Sequence, residues 1–553
     1  MQIFCAIRDG TVMKNKSFFG LKYLLLSYLL VTVALPMLAL FSTIRGEHIH
    51  AIVSSAQFFD MLGNSVGTTL VATAISIVLS FTLAFLLNRS NVRFKSVFVV
   101  LFTIPMLIPS ISHGMGLVQL FGDSGMITEM LGININLYGY TGIVMGSVLY
   151  SFPVSFLMFN DSFQYEDFTV YEAAGVLGLS SWQKFITITL PSMRRTIISA
   201  ILAVFTMVFT DYGVPLMTGG TVMTLPVYMY REVIGMMNFS GGAVVGVILL
   251  LPAVAAFLLD LRNSGINASG STVTRAFCIE KNKTRDYLVY GFFALTLIML
   301  CLPIFVFILL SFVKQYPLDM SFSLGTVNKL LSSGIGMYFV NSMAVALMTA
   351  LIGTCLSYFA AYVTARNQKS LPNKTLHFIS MLPLAIPGVV LGLSFVLSFQ
   401  NLSIYSTIFI LVVVNIVHFF SSPYLLAYNS LSKFNSNLED VAQTLGIGRM
   451  RILFSVYIPC TRATIVEMYS YYFVNAMITI SAVSFLTNFR TMPLSLLIPQ
   501  LESQSFIEGT AMVSLIILTI NLAEKGIAFF VKRAIAAADA RKTAETVVPE
   551  MPM

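Results

Sequence analysis

Two stretches of the chain match each other: residues 171–191 read YEAAGVLGLSSWQKFITITLP, and residues 438–459 read LEDVAQTLGIGRMRILFSVYIP. Alignment pairs an acidic residue, an alanine, a glycine and a proline in each copy: Glu172 with Asp440, Ala174 with Ala442, Gly178 with Gly446, and Pro191 with Pro459. Each copy predicts a short helix, a glycine that ends it in the left-handed conformation, and a second amphipathic segment. The proline suits the first turn of the helix that follows.

The composition around these stretches is that of a membrane protein. Of 553 residues, 57% are hydrophobic and 10% are charged, whereas soluble domains carry about 25% charged residues. Mean hydropathy is +0.85. No soluble fold has enough interior for this apolar surface, and disorder is excluded for the same reason. The apolar runs do not alternate, so an outer-membrane barrel is excluded as well and an all-α polytopic fold is predicted.

Apolar runs of about 20 residues predict about twelve transmembrane helices, six in each half. The predicted spans are 23–43, 65–88, 96–121, 140–160, 194–217, 241–260, 287–312, 340–364, 376–400, 404–428, 463–487 and 508–531. The first run is too long for a signal-peptide core, so we expect it to be retained as a span.

Basic residues predict the orientation of these spans. With the N-terminus in the cytoplasm, 27 of the 32 Lys and Arg residues fall in inner segments. Positive charge is enriched on the cytoplasmic side of membrane proteins, so both termini are predicted to be cytoplasmic, in the inner membrane of a cell.

The two halves also match along their spans, which predicts two parallel six-helix repeats. At an offset of 277, Asn64-Ser65 and Arg89 recur as Asn341-Ser342 and Arg366, and Thr224-Leu225-Pro226 resembles Thr491-Met492-Pro493. The expected organisation is a first helix and outer loop (1–60), a first permease domain (61–262), a polar linker (263–286), a seventh helix and outer loop (287–335), a second permease domain (336–532) and a cytoplasmic tail (533–553).

Chemistry-bearing residues are scattered. The five cysteines have neither zinc nor CxxC spacing, and His48 with His50 is interpreted as part of a solvated loop. We expect no catalytic residue, no metal site, no cofactor in this chain and no nucleic-acid partner. The dipeptide Gly-Lys is absent, so the chain has no P-loop and ATP hydrolysis would lie on a partner.

The paired stretches resemble the EAA loop of binding-protein-dependent ABC transporter permeases. The first copy matches the pattern at Glu172, Ala173, Ala174, Gly178, Ile188, Leu190 and Pro191, whereas the second is more divergent at Asp440, Val441, Ala442, Gly446, Val456, Ile458 and Pro459. The resemblance implies a type I ABC importer permease fold whose two loops form coupling helices on a cytoplasmic ABC ATPase dimer, which carries ATP and Mg. It also implies an extracytoplasmic solute-binding protein and a lipid bilayer as partners.

The solute is less constrained. Asp211, Tyr212 and Arg231 are candidate pathway residues, although Asp211 could equally cap the outer end of its own helix and Arg231 could be an interfacial anchor. The stretch TDYGVPLMTGG (210–220) resembles 2-aminoethylphosphonate importers, and phosphonate is therefore the expected solute. The alternatives are ferric iron, thiamine or polyamine import, then an ion-coupled secondary carrier and, last, a membrane enzyme.

Overall fold

The computed structural model describes residues 20–132, 135–264, 275, 277–279, 281–366, 370–435 and 437–546, so most of the predicted linker and both chain ends lie outside the described residues. Helices of the first half are α1 Gly20–Thr43, α2 Gly46–Val53, α3 Ala56–Arg89, α4 Lys95–Thr103, α5 Ser110–Phe121, α6 Met126–Leu131, α7 Tyr140–Gln164, α8 Thr169–Val176, α9 Ser181–Phe209, α10 Gly213–Thr218, α11 Leu225–Tyr230 and α12 Phe239–Ser264. Helices of the second half are α13 Lys283–Ser311, α14 Gly325–Ser332, α15 Ile335–Ala365, α16 Leu371–Met381, α17 Gly388–Phe399, α18 Ile408–His418, α19 Ser421–Ser432, α20 Leu438–Thr444, α21 Arg449–Ile452, α22 Ile458–Cys460, α23 Arg462–Ile478, α24 Leu494–Ser503 and α25 Ile507–Thr546.

The chain is an all-α polytopic membrane protein. In its described part, eight helices are long and apolar enough to cross a membrane, and three bent pairs raise the number to eleven. A single two-stranded hairpin, β1 Val313–Gln315 with β2 Asp319–Phe322, follows α13. The predicted span 463–487 differs, because α23 ends at Ile478 after 17 residues and the chain continues in turns.

Three predicted spans are bent rather than straight: the one at 404–428 by 52° between α18 and α19, and two others far more sharply. The span predicted at 96–121 bends by 94° at Ile108-Pro109, and that predicted at 376–400 bends by 112° at Ile386-Pro387. Proline has no amide hydrogen and disfavours a helical conformation of the residue before it. A 3₁₀ segment precedes each break, Ile104–Leu107 in the first half and Leu382–Ala385 in the second. The repeat therefore extends to its irregular segments.

Hydrogen bonds at the second span of each half confirm the repeat and correct one detail. The Ser65 hydroxyl accepts from the Leu225 amide at 2.8 Å, and the Ser342 hydroxyl accepts from the Leu494 amide at 2.7 Å. These contacts make Leu225 equivalent to Leu494. The expected match of residues 224–226 with 491–493 is therefore wrong by two positions, because the tripeptide similarity does not follow the backbone contacts.

The two flanking helices bind the halves together. Helix α1 packs against α17 in the second half, and α13 packs against α5 in the first. Polar contacts also join each flanking helix to the opposite half. Lys22 Nζ of α1 donates to Ser370 Oγ at 3.2 Å, and Tyr290 Oη of α13 accepts from the Arg93 amide at 2.7 Å. Neither half could separate without exposing an apolar face.

Glycines allow the broken helices to approach α10 in the first half and the turn after α23 in the second. A Cβ atom on Gly114 would lie 3.1 Å from the Val214 carbonyl oxygen, and one on Gly392 would lie 2.7 Å from the Ala482 carbonyl oxygen. Backbone atoms cannot move aside as a flexible side chain can. Each half is therefore tightly packed at the same place.

We predict that Gly392→Ala lowers the free energy of unfolding by about 1–3 kcal/mol, because the methyl group overpacks this contact. The measurement is thermal unfolding of the purified protein in detergent. Gly291→Ala is the matched control, because a Cβ at Gly291 in α13 meets nothing within 4 Å. Equal unfolding temperatures for the two variants would contradict the close approach.

Candidate functional site

The paired stretches each form a short helix with the same C-terminal end. In α8, the Gly178 amide donates to the Gly175 carbonyl and the Leu179 amide to the Ala174 carbonyl, both at 3.0 Å. In α20, Gly446 and Ile447 make the equivalent bonds to Gln443 and Ala442, at 3.1 and 2.8 Å. This pattern is the Schellman motif, which needs a left-handed residue. Gly178 and Gly446 supply it, with φ of 75° and 69°.

One face of each short helix is buried and its tip is open. Ala174 and Ala442 are buried against the body of the protein. Ala173 and Asp440 are exposed, as are the two glycines. Sequence reasoning missed the exposed apolar side chains beside these glycines, which are Val176 at 90% exposure, Leu177, Val441 and Leu445 at 69%. With the glycines aligned, Leu177 and Leu445 stand at equivalent positions. Clustered exposed apolar side chains are typical of a binding surface.

Both prolines lie in the first turn of an α-helical segment, as predicted: Leu190–Phe209 for Pro191 and Ile458–Cys460 for Pro459. The helix does not start anew at Pro191, because α9 already begins at Ser181 and continues through this residue. Pro191 follows a π-helical segment, Phe185–Thr189, and Pro459 follows the equivalent segment Leu453–Tyr457. A widened turn accommodates a proline that lacks an amide hydrogen. Each loop is thereby joined to the next span by almost continuous helix.

An arginine at the end of the second span anchors the first short helix. Arg89, the last residue of α3, forms an ion pair with Glu166 in which both side chains are about nine-tenths buried. The Tyr171 hydroxyl lies 3.3 Å from Arg89 Nη2 and 2.9 Å from Thr189 Oγ1. Helix α8 is therefore joined to α3 and α9 through one polar cluster.

The second half builds the same junction with exchanged residues. Arg366, after α15, binds both carboxylate oxygens of Glu439 at 2.6 Å, and the Tyr457 hydroxyl donates to the same carboxylate. With the two glycines aligned, Glu439 takes the position of Tyr171, and Tyr457 takes that of Thr189. The position of the acid thus changes while the charge pair persists. Sequence comparison could find the matching arginines, but not their partners.

The environment of Glu439 favours its ionised form. Burial raises the pKa of this carboxyl, but hydrogen bonds from Arg366 and Tyr457 and the arginine charge outweigh burial, so its pKa lies below the ordinary 4.5. Because the pKa of Glu439 is lower in the folded state, its ionised carboxylate stabilises the protein at pH values above 4.5. That contribution disappears as pH falls through the lowered pKa.

Asp211 lies at the break after α9 and caps α10. Its carboxylate accepts from Ser110 Oγ at 2.7 Å and from the amides of Gly213 and Val214 at 3.3 and 3.0 Å. The same side chain helps to line a small polar cavity. The other polar residues that line it are Ser65, Thr68, Thr69, Ser147 and Thr224. Asp211 therefore caps the N-terminus of α10 and not the outer end of α9, and its side chain also forms part of the cavity wall.

Tyr212 and Arg231 do not join Asp211 at this cavity. The Tyr212 side chain is fully buried, and its ring stacks on Tyr230 with centroids 4.8 Å apart. Arg231 is exposed at the start of the π-helical segment Arg231–Gly235. The three candidate pathway residues therefore form no single cluster. No group of three or more His, Cys, Asp or Glu side chains in the described ranges could hold a metal ion.

We predict that Arg366→Met destabilises the protein by about 2 kcal/mol at neutral pH, because Glu439 loses its charged hydrogen-bond donor. Thermal unfolding in detergent measures the change. Arg462→Met is the control, since its ion pair with Asp539 is exposed and worth less than about 1 kcal/mol.

The deficit of Arg366→Met should shrink as pH falls from neutral through 4.5, because burial is no longer outweighed by the arginine and raises the pKa of Glu439 in the variant, so that its carboxyl is protonated first. A deficit that stays constant across this pH range would show that the charge pair is not its cause.

Three relatives of the chain are named as permease proteins of transport systems. The chain is 24% identical over 400 residues to the putative ferric transport system permease protein FbpB 1 of Haemophilus influenzae, which covers 69% of this chain and 63% of the relative. It is 24% identical to the ferric transport system permease protein FbpB of Actinobacillus pleuropneumoniae, covering 72% and 60%. Identity to the thiamine transport system permease protein ThiP of Haemophilus influenzae is 23%, covering 64% and 66%. The chain thus spans somewhat less than two thirds of each relative, and the expected phosphonate finds no support in their names.

The family profile matches the chain twice. It covers residues 76–262 and 353–536, one match in each half. The chain therefore belongs to the family of binding-protein-dependent transport system inner membrane components, as a multi-pass ABC importer permease that contains two copies of the permease domain.

Proposed function

We propose that this chain forms the membrane pathway of a ferric iron importer, driven by an ABC ATPase dimer in the cytoplasm and supplied by an extracytoplasmic binding protein. The observation that carries the proposal is the pair of short helices with identical glycine ends and exposed apolar tips. Two equivalent docking helices suit a two-fold ATPase dimer. An ion-coupled secondary carrier does not account for them. In this proposal α8 and α20 are the docking helices, both on the cytoplasmic side with the two chain termini.

The docking helices are connected to the pathway by stiff elements. Helix α9 has 29 residues from Ser181 to the break at Asp211, a length of about 40 Å. The Arg89 and Arg366 junctions tie each docking helix to a second span as well. A displacement of the tips would therefore move α9 and α3 in one half, and α23 and α15 in the other. ATP binding and hydrolysis on the partner would supply that displacement.

The polar cavity favours a cation over a phosphonate. Its lining contains the Asp211 carboxylate and five hydroxyl side chains, and none of the described residues that line it is basic. Oxygen ligands suit hard metal cations, whereas a phosphonate anion would be repelled by the carboxylate. Two relatives named for ferric transport agree with this preference. Ferric iron therefore replaces 2-aminoethylphosphonate as the proposed solute.

We predict that the double variant Gly178→Val, Gly446→Val loses co-purification with the ATPase, because a β-branched residue is strained at positive φ. Gly178→Asn with Gly446→Asn is the matched control, since asparagine tolerates this conformation. ATPase recovered on the tagged permease after membrane solubilisation is the readout. Retention of the ATPase by the valine variant would contradict the docking assignment.

For the solute, we predict that Asp211→Asn reduces uptake of radiolabelled ferric iron by about tenfold, the effect of about 1.4 kcal/mol. Asparagine can still cap α10, so the substitution removes mainly the charge. Asp319→Asn in the exposed β-hairpin is the control. Uptake is measured in proteoliposomes with the ATPase and the binding protein. Uptake of thiamine or 2-aminoethylphosphonate instead of iron by the unmodified protein would refute the solute.

A further inference from the structure

The two docking helices differ in the contacts that hold them in place. The difference arises from the segment that joins the two halves of the chain. Two described residues of this segment, Arg275 and Phe277, lie against the base of α8. The Arg275 carbonyl accepts from the Phe168 amide at 3.1 Å, and the Arg275 guanidinium forms an ion pair with Glu172. The linker thus contacts both the N-terminus and the first turn of this docking helix.

Phe277 completes the Arg89 junction. Its ring lies 3.2 Å from Arg89 Cζ, and its centroid lies 4.9 and 5.1 Å from those of Phe168 and Tyr171. Arg89 Nη1 is buried and has no hydrogen-bond partner. The face of the Phe277 ring therefore provides the favourable contact on this side of the guanidinium. Cation–π attraction is strongest where water is excluded.

The second half completes its junction from its own loop, where Arg366 Cζ lies 5.4 Å from the centroid of the Tyr457 ring. Arg366 binds the carbonyl oxygens of Phe434 and Asn435 at 2.9 and 2.7 Å, and the Phe434 ring packs edge-on against Tyr457 with centroids 5.1 Å apart. With the glycines aligned, Glu166 stands where Phe434 does. The first loop therefore lacks an aromatic residue at this position, and the linker provides one.

We propose that Arg275 and Phe277 form a linker clamp that positions the first docking helix, so that the two ATPase-docking helices of this fused permease are mechanically inequivalent. Just after Arg89, the amides of Asn91 and Arg93 donate to Asp286 and Tyr290 of α13 at 3.1 and 2.7 Å. A displacement of α8 is therefore transmitted to the seventh span as well as to α3 and α9. Phe277 is a positioning residue, since it acts on α8 through Arg89 and Tyr171.

Hydrogen exchange of the full chain in lipid nanodiscs, without ATPase, tests the clamp. Phe277→Ala should raise amide exchange in α8 by about tenfold and leave α20 unchanged, because local opening reports local stability. Phe434→Ala should do the reverse. Phe277→Tyr, which keeps the aromatic face, should restore slow exchange in α8, whereas Phe277→Leu should not.

Unchanged exchange in α8 on Phe277→Ala, or an equal rise in α20, would overturn the clamp. Unchanged α20 exchange also serves as the control that the variant is folded. In the reconstituted transporter, Phe277→Ala should lower the solute moved per ATP hydrolysed, with recovery in Phe277→Tyr. This consequence rests on the proposed function, but the exchange measurement does not. Failure of the unmodified chain to bind an ATPase would count against that function, and not against the clamp.

Discussion

The structure depends on one constraint, which is that a backbone polar group in a lipid bilayer must find its partner within the protein. Long helices satisfy this constraint over most of the described chain. The breaks between helices lie where other parts of the protein cover them. The helices broken at Pro109 and Pro387 lie against α10 in the first half and the turn after α23 in the second, where Gly114 and Gly392 allow close approach to the backbone. At the start of α10 the Asp211 carboxylate accepts the amides of Gly213 and Val214. The irregular segments therefore meet one another, and a polar cavity lies beside them.

Duplication explains the symmetry of the fold. The two halves have diverged in sequence, but they keep the same interaction by forming it with acids at different positions of the loop. An ion pair between a span and a docking helix occurs in both halves, with Arg89 and Glu166 in one and Arg366 and Glu439 in the other. The acid moves along the loop while the geometry is kept. A buried charge without a partner is costly in free energy. Loss of either partner would therefore destabilise the protein more than relocation of the acid along the loop.

Fusion of the halves permits an asymmetry that two separate subunits would lack. The segment that joins them is drawn into the first Arg junction, whereas the second junction is completed by Phe434 from its own loop. In the proposed importer, the ATPase would displace both docking helices by the same amount. Each helix would transmit that displacement to a different set of spans. The first would also move α13, which packs on both halves.

Much of the architecture follows from the sequence alone, because hydrophobic length, charge placement and repeated motifs are local properties. They predicted the membrane class, the duplication, and the helix–glycine–helix form of the loops around Gly178 and Gly446. Tertiary structure decided what depends on contacts between distant residues: the helix breaks, the early end of α23 and the partners of Arg89 and Arg366. It also placed Arg231 away from the Asp211 cavity. No periodicity in a single sequence records which side chains meet across a folded bundle, and the aromatic partner of Arg89 lies nearly 190 residues further along the chain.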